Sequence, residues 1–459
     1  MGGRVMRLCL AGGVRSDSLN RARFSYFVLA FAVGAYAPYL QLYYGSIGIT
    51  LAGIGLLSGF LSLVALLAAP LWGSIHDRYP ESRTLIMLAG LATAAGGLGM
   101  GASGASPWLV PSIGLFAIGL SGLQPMMDVR VLHMAASDRS RFASVRVFGS
   151  LGFMTATPLV GWWIGQNYAG LFWIMVPLMV LAGLSSLMLP IRSGVVRTSG
   201  AGSAARVVLS HRPILYFLAA ALVGFVSISM QSPFISIYLR SLGARSDEVG
   251  YLWGCQTLLE VPAMVLFPVL ARRYGTEPLI VIGMAIVVGR QTANAIFTSP
   301  DLLVAFSLLQ GLGYGLLLVG SAAYVSRQAP RGTAATAQGL LYATVSSLAA
   351  IVGAGLGGEL ASLFSIRALF AISAALGVIA VLLLTASLLP GSERPSAAEP
   401  HVGRPSAGEP PEPDAIAGRA RAGDQTRAIA ASLRPPVRPA AVAQPRPREN
   451  QSRSCFRTA

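Results

Sequence analysis

Residues 24–75, 84–127 and 147–191 contain no Asp, Glu, Lys or Arg, giving uninterrupted runs of 52, 44 and 45 positions. A fold that meets water on all sides cannot carry such runs, because its surface needs polar cover. Hydrocarbon can accommodate them, since each run is long enough for a pair of membrane-spanning helices of about 20 residues. The runs are continuously apolar and do not alternate in the ten-residue segments of a transmembrane barrel. Overall, 54% of the 459 residues are hydrophobic and 11% are charged, against roughly 25% charged in soluble domains. The expected class is an all-α polytopic membrane protein.

Hydropathy and turn residues divide the chain into twelve span cores, at 24–44, 50–75, 84–103, 107–132, 142–165, 168–190, 213–239, 248–271, 278–297, 301–326, 334–361 and 367–389. Alternate loops are rich in arginine: Arg78 and Arg83, then Arg139 and Arg141, then Arg192, Arg197, Arg206 and Arg212, then Arg272 and Arg273, then Arg327 and Arg331. The intervening loops are nearly bare. Basic loops remain cytoplasmic, so the sidedness rule puts both termini inside a bacterial inner membrane. The net charge of +16 is thus chiefly a topology signal, and no nucleic-acid partner is implied.

The two parts of the chain repeat at an offset of 195. Pro38 and Tyr39 match Pro233 and Phe234, Ser46 and Gly48 match Ser241 and Gly243, Gly55 matches Gly250, and Arg78-Tyr79 matches Arg273-Tyr274, without a gap. The expected organisation is a cytoplasmic segment 1–23, a six-helix half 24–190, a linker 191–212, a second six-helix half 213–390 and a tail 391–459. The tail is rich in Pro, Arg and alternating charge, a composition that favours disorder. Paired halves of this kind surround a central site in secondary transporters.

The loop from Gly73 to Arg83, with Asp77 and Arg78 at its centre, resembles the Gly-x-x-x-Asp-Arg-x-Gly-Arg-Arg loop of the major facilitator superfamily, from which it departs at Pro80 and Glu81. The matching loop in the second half keeps Arg272 and Arg273 but has no aspartate. Within the superfamily, the segments Ala37–Tyr44, Gln124–Asp128, Phe142–Gly152 and Gly250–Gly254 resemble the branch holding phenylpropionic acid transporters, nucleoside–proton symporters and lactose permease. The resemblance implies the twelve-helix major facilitator fold, alternating access, and a Gly73–Arg83 loop that latches the cytoplasmic side when it is closed.

Few charges remain at membrane depth: Asp128, Arg130, Arg146, Glu260, Arg290 and Glu359. Each costs roughly 2.5–3.5 kcal/mol at the bilayer centre on an insertion scale, so each should face an interior or a cavity. Their order suggests two pairs, Asp128 with Arg146 and Glu260 with Arg290. Resemblance to lactose permease, which holds its sugar between a span-four carboxylate and a span-five arginine, places Asp128 and Arg146 at a substrate site. Bracing between the two spans is the competing reading. Glu260 is similar in position to a span-eight glutamate of that permease and is the candidate proton carrier, with a static ion pair as the alternative. Span ten lacks the permease's His and Glu, so that coupling cluster is missing. Tyr36, Tyr39, Gln124, Gln256 and Asn294 are further candidate cavity contacts, each with helix–helix contact as the alternative. Glu359 and Arg130 suit interfacial or gate positions.

No Lys and no Gly-rich phosphate loop are present, which argues against an ATPase. His76, His133, His211 and His401 fall in loops or the tail, and Cys9, Cys255 and Cys455 are far apart, so neither a catalytic set nor a metal or cofactor site is implied. The expected function is secondary active transport by a monomer. Its cargo would be a small organic solute, either an organic acid, nucleoside or sugar taken up with protons, or a drug or metabolite driven out by them.

Overall fold

A computed structural model describes residues 2–79, 82, 84–134, 139–189, 201–330 and 332–388, without side-chain detail for 2–17, 132–143 and 201–204. Arg83, the first part of the linker and the tail therefore lie outside the described residues. The chain divides into two units, Met1–Glu393 and Arg394–Ala459. Only the first falls among the described residues.

That unit is helical and holds twelve helices long and apolar enough to cross a membrane. In chain order, spans one to six are Ser18–Ser46, Leu51–Arg78, Thr84–Ser103, Leu109–Val131, Ser144–Ile164 and Tyr168–Met188. Spans seven to twelve are Arg212–Ser241, Ser246–Tyr274, Thr276–Ile296, Pro300–Gln328, Ala334–Leu363 and Ile366–Leu388. They fall into two successive sets of six, the two halves that the sequence repeat marks out. Helix ends reach a few residues beyond several of the apolar cores, because an α-helix continues past the hydrocarbon until a breaker stops it. The linker region also contains a helix, Ala201–Ser210, with Val208 buried.

The repeat read from the sequence is visible in the backbone. Span one breaks at residues 37–39, before a short helix Leu40–Ser46, and span seven breaks at residues 232–234, before Ile235–Ser241. Pro38 and Pro233 sit at these breaks because proline withholds the amide hydrogen that a continuing helix needs. Gly48 (φ 87°) and Gly243 (φ 91°) then turn the chain into the next span through left-handed conformations that favour glycine. The Thr50 hydroxyl caps span two by accepting from the Gly53 amide at 3.2 Å, while the Glu248 carboxylate accepts from the Arg245 amide at 2.9 Å to cap span eight.

Gly55 and Gly250, equivalent in the repeat, lie on the two seams between the halves. A Cβ on Gly55 would meet Gly358 Cα at 2.7 Å in span eleven, and one on Gly250 would meet Pro158 Cα at 2.6 Å in span five. The Tyr39 hydroxyl donates to the Thr157 carbonyl and also lies 3.3 Å from the Ser246 carbonyl, crossing the same seam. Both seams lie at the end of the bundle that carries Gly48 and Gly243, and they close it. Exposed Trp108, Trp162, Trp163 and Trp173 surround that end, a placement suited to a membrane interface.

Candidate functional site

Between the seams and the arginine-rich end lies a cavity of ≈ 530 Å³, bounded by both halves. The first half contributes Tyr26 from span one, Gln124 from span four and Arg146 from span five; the second contributes Gln256 and Glu260 from span eight and Gln310 from span ten. Close backbone packing sets this geometry. A Cβ on Gly315 would lie 2.9 Å from the Glu260 carbonyl, and Gly311 is also tight against span eight. Spans eight and ten are thereby held together, with Glu260 directed to the lumen.

Asp128 and Arg146 meet as the sequence suggests. Arg146 Nη1 is 3.8 Å from Asp128 Oδ2, and the other carboxylate oxygen, Oδ1, accepts a hydrogen bond from the Tyr26 hydroxyl. The arginine side chain is about half exposed (49%) and the aspartate less so (25%); Arg146 and Tyr26 line the cavity, and Asp128 holds both from behind. It also joins spans one, four and five. Tyr26 was not singled out by the sequence, where attention falls on the tyrosines at the far end of span one. The available signal was a lone phenol deep in the basic half of an otherwise apolar helix.

Glu260 and Arg290 do not pair. Arg290 is 2% exposed and donates from Nη1 to Gln231 Oε1 at 3.2 Å, and Asn294 Nδ2 donates to the same oxygen at 3.1 Å. Gln291 extends this buried set by donating to the Ser227 hydroxyl at 3.2 Å. The reason is rotational. On span seven, Ile228, Ser229 and Ser232 face the cavity, whereas Ser227 and Gln231 lie on the flank that meets span nine. Arg290 and Asn294 therefore sit behind the cavity wall. Among the described residues, Glu260 makes no ion pair, and Arg146 is the arginine that shares its cavity.

Tyr39 is also withdrawn from the lumen, because the break at residues 37–39 turns it into the seam. Tyr36 lines a second cavity of ≈ 240 Å³, whose wall shares Ser229, Ser232 and Trp253 with the first. The indole nitrogen of Trp253 donates to the Ser236 hydroxyl at 3.0 Å, which holds the ring between the two chambers.

At the arginine-rich end, Gly73, Asp77, Arg78, Arg272 and Arg273 are exposed. The repeat holds in the side chains as well: Arg78 lies over the Tyr79 ring at 6.0 Å and Arg273 over the Tyr274 ring at 5.3 Å. Asp77 makes no ion pair among the described residues. Arg130 is buried and donates to the Ser186 carbonyl at 3.3 Å, and also to the Ser82 carbonyl, tying span four to its neighbours. Arg327 and Glu277 form a 2.6 Å ion pair between spans ten and nine. Glu359 is exposed near the seam end of span eleven.

A model of the MFS_1 like family matches residues 19–372. Maltose permease of Geobacillus stearothermophilus is 27% identical over 370 residues, covering 78% of this chain and 92% of the permease. Multidrug resistance protein MdtG of Dickeya zeae is 25% identical over 304 residues, covering 61% and 72% respectively. Among solved structures, a variant of the nucleoside transporter NupG superposes with a TM-score of 0.75 at 14% identity, over 81% of this chain and all of that one. With twelve apolar helices, the two-half fold and a cavity between the halves, the chain belongs to the MFS_1 like family of the major facilitator superfamily and is a multi-pass secondary transporter of small molecules, not an enzyme.

Proposed function

We propose that the protein is a proton-coupled symporter for a hydroxyl-bearing organic solute of the sugar or nucleoside class, acting as a monomer in a bacterial inner membrane. The observation that carries this reading is the cavity's charge set: one carboxylate, Glu260, and one arginine, Arg146, which is already engaged from behind by Asp128. An organic acid would need a free cation, and Arg290 is behind the wall. Hydroxyl groups suit the set better, because carboxylates and amide oxygens accept from them while arginine and amide nitrogens donate. The similarity to a maltose permease supports the same class.

With the arginine-rich end on the cytoplasmic side, this structure is the inward-open state. The two halves, joined through the 191–212 linker, rock about the cavity. The cavity must lose its water on the way through the occluded state, and an ionised carboxylate without a bonded cation carries a cost of roughly 2.5–3.5 kcal/mol into a membrane interior. Glu260 is such a group. With solute aboard, the ionised form is therefore blocked and the loaded carrier crosses only with a proton on Glu260. The empty carrier returns after Glu260 has released that proton, with Arg146 in the same cavity as its counter-charge, and that difference couples the two fluxes. Arg146 and Tyr26, both held by Asp128, bind and orient the solute.

The reading is tested by reconstituting the full chain and imposing a proton gradient of either sign against a panel of maltose, glucose, uridine, 3-phenylpropionate and ethidium. Accumulation of maltose, glucose or uridine on the side opposite the acid supports it. Gradient-driven movement of 3-phenylpropionate alone refutes it. Expulsion of ethidium toward the acid side would instead establish the drug-efflux reading, which an unpaired Glu260 and the similarity to MdtG favour.

A further inference from the structure

The second chamber has a chemistry of its own. It lies beyond Ser229, Ser232 and Trp253, on the seam side of the main cavity, between spans one, two, seven and eleven. None of the residues lining it is ionisable at neutral pH; its polar groups are the Gln41 amide and the hydroxyls of Ser58, Ser62, Ser229 and Ser232, alongside the phenols of Tyr36 and Tyr44. Two aromatic faces are fixed in place. Trp253 is held through its indole nitrogen, and Tyr36 is braced from behind by an edge contact with Phe116 at 5.1 Å between centroids.

The phenol of Tyr36 is the second observation. The residue is 8% exposed and lines the chamber, and its hydroxyl has no hydrogen-bond partner among the described residues. Opening onto the chamber without a protein partner, it is free to bond a solute, whereas Tyr43 and Tyr44, its neighbours in span one, both bond to Met100. Aromatic faces present the apolar surface that a pyranose ring stacks on, and surrounding hydroxyl and amide groups answer its own hydroxyls. A charged moiety would find no counter-charge there.

We propose that this chamber is a subsite for a second, uncharged glycosyl ring, so that the solute is a disaccharide or similar two-ring glycoside. One ring lies at Arg146 and Glu260 and the other lies against Tyr36 and Trp253. This rests on the sugar reading above and narrows it. The two chambers together fall within the roughly 300–1,000 Å³ usual for small-molecule sites, and their shared wall leaves the rings adjacent.

The test measures binding of maltose and of methyl glucoside to the purified full chain, in the wild type and in two variants. Ser62→Phe fills the chamber, and Tyr36→Phe removes only the phenol oxygen. The expected result is maltose bound at least about tenfold more tightly than methyl glucoside, with that ratio falling toward one in Ser62→Phe and by several-fold in Tyr36→Phe. Equal affinities in the wild type, or a ratio that survives both variants, overturn the subsite and leave the sugar reading standing. Binding of uridine with the same dependence on Ser62 and Tyr36, without a preference for maltose, overturns its glycosyl character. Failure of both sugars and uridine to bind overturns the sugar-class reading and the subsite with it.

Discussion

Replacing Gly250 by alanine should open the seam end of the transporter. The added methyl has nowhere to go: its nearest neighbours are the Thr157 carbonyl and Pro158 Cα, at 2.6 Å for the latter, all backbone atoms of span five. Backbone cannot rotate aside as a long side chain can, so the two helices must separate. Overpacking of this kind costs typically about 1–3 kcal/mol, borne only by the state in which the seam is closed. A differential cost of that size shifts a two-state equilibrium by roughly 5- to 150-fold. The assay is alkylation of a Ser229→Cys reporter, in a Cys255→Ser background, by an impermeant maleimide applied from the seam side. Labelling should rise by that factor in Gly250→Ala and stay at the reference rate in Gly355→Ala, where nothing lies within 4 Å of the added carbon. Unchanged labelling in Gly250→Ala would refute the assignment of this seam as the closed gate.

Removing either partner of Asp128 should weaken binding. Arg146→Gln is expected to lower solute affinity more than tenfold, and Tyr26→Phe several-fold, read by isothermal titration with the transported sugar; equal affinity in both would assign the set to bracing alone. Arg290→Met should keep transport and hold or raise the melting temperature, because a buried cation without a carboxylate partner gives way to a hydrophobic group of similar length at little cost; loss of binding there would return Arg290 to the site. Asp77→Asn should slow turnover several-fold while leaving the KM for solute unchanged, and a wild-type rate would remove the latch role of the loop.

The fold was legible because its determinants are local and redundant. Uncharged runs fixed the spans, and the 195-residue repeat carried through to matching helix breaks at Pro38 and Pro233 and matching turns at Gly48 and Gly243. Asp128 and Arg146 were legible because few charges occur in the spans and a known pattern pairs them. The second pair failed because helix rotation is not visible in charge order. Glu260 faces the lumen, but a position on span nine is equally placed in sequence whether it faces the lumen or span seven, and Gln231 decided the matter for Arg290. Tyr39 took its alternative role, helix–helix contact, for a related reason: the break at Pro38 turns it out of the helix face it would otherwise share with Tyr36. Tyr26 and the second chamber depend on contacts between spans one, two, four, seven and eleven, which no single segment encodes.

The central claim is that Glu260 carries the coupled proton, and Glu260→Gln tests it most directly. Proteoliposomes containing the variant should show no solute accumulation under an imposed proton gradient, while exchange of labelled for unlabelled solute across the same membranes continues. Exchange needs only the loaded carrier to cross and return, which a permanently neutral residue allows. Gradient-driven accumulation at the wild-type level in Glu260→Gln, or loss of solute binding with coupling preserved, would contradict the account.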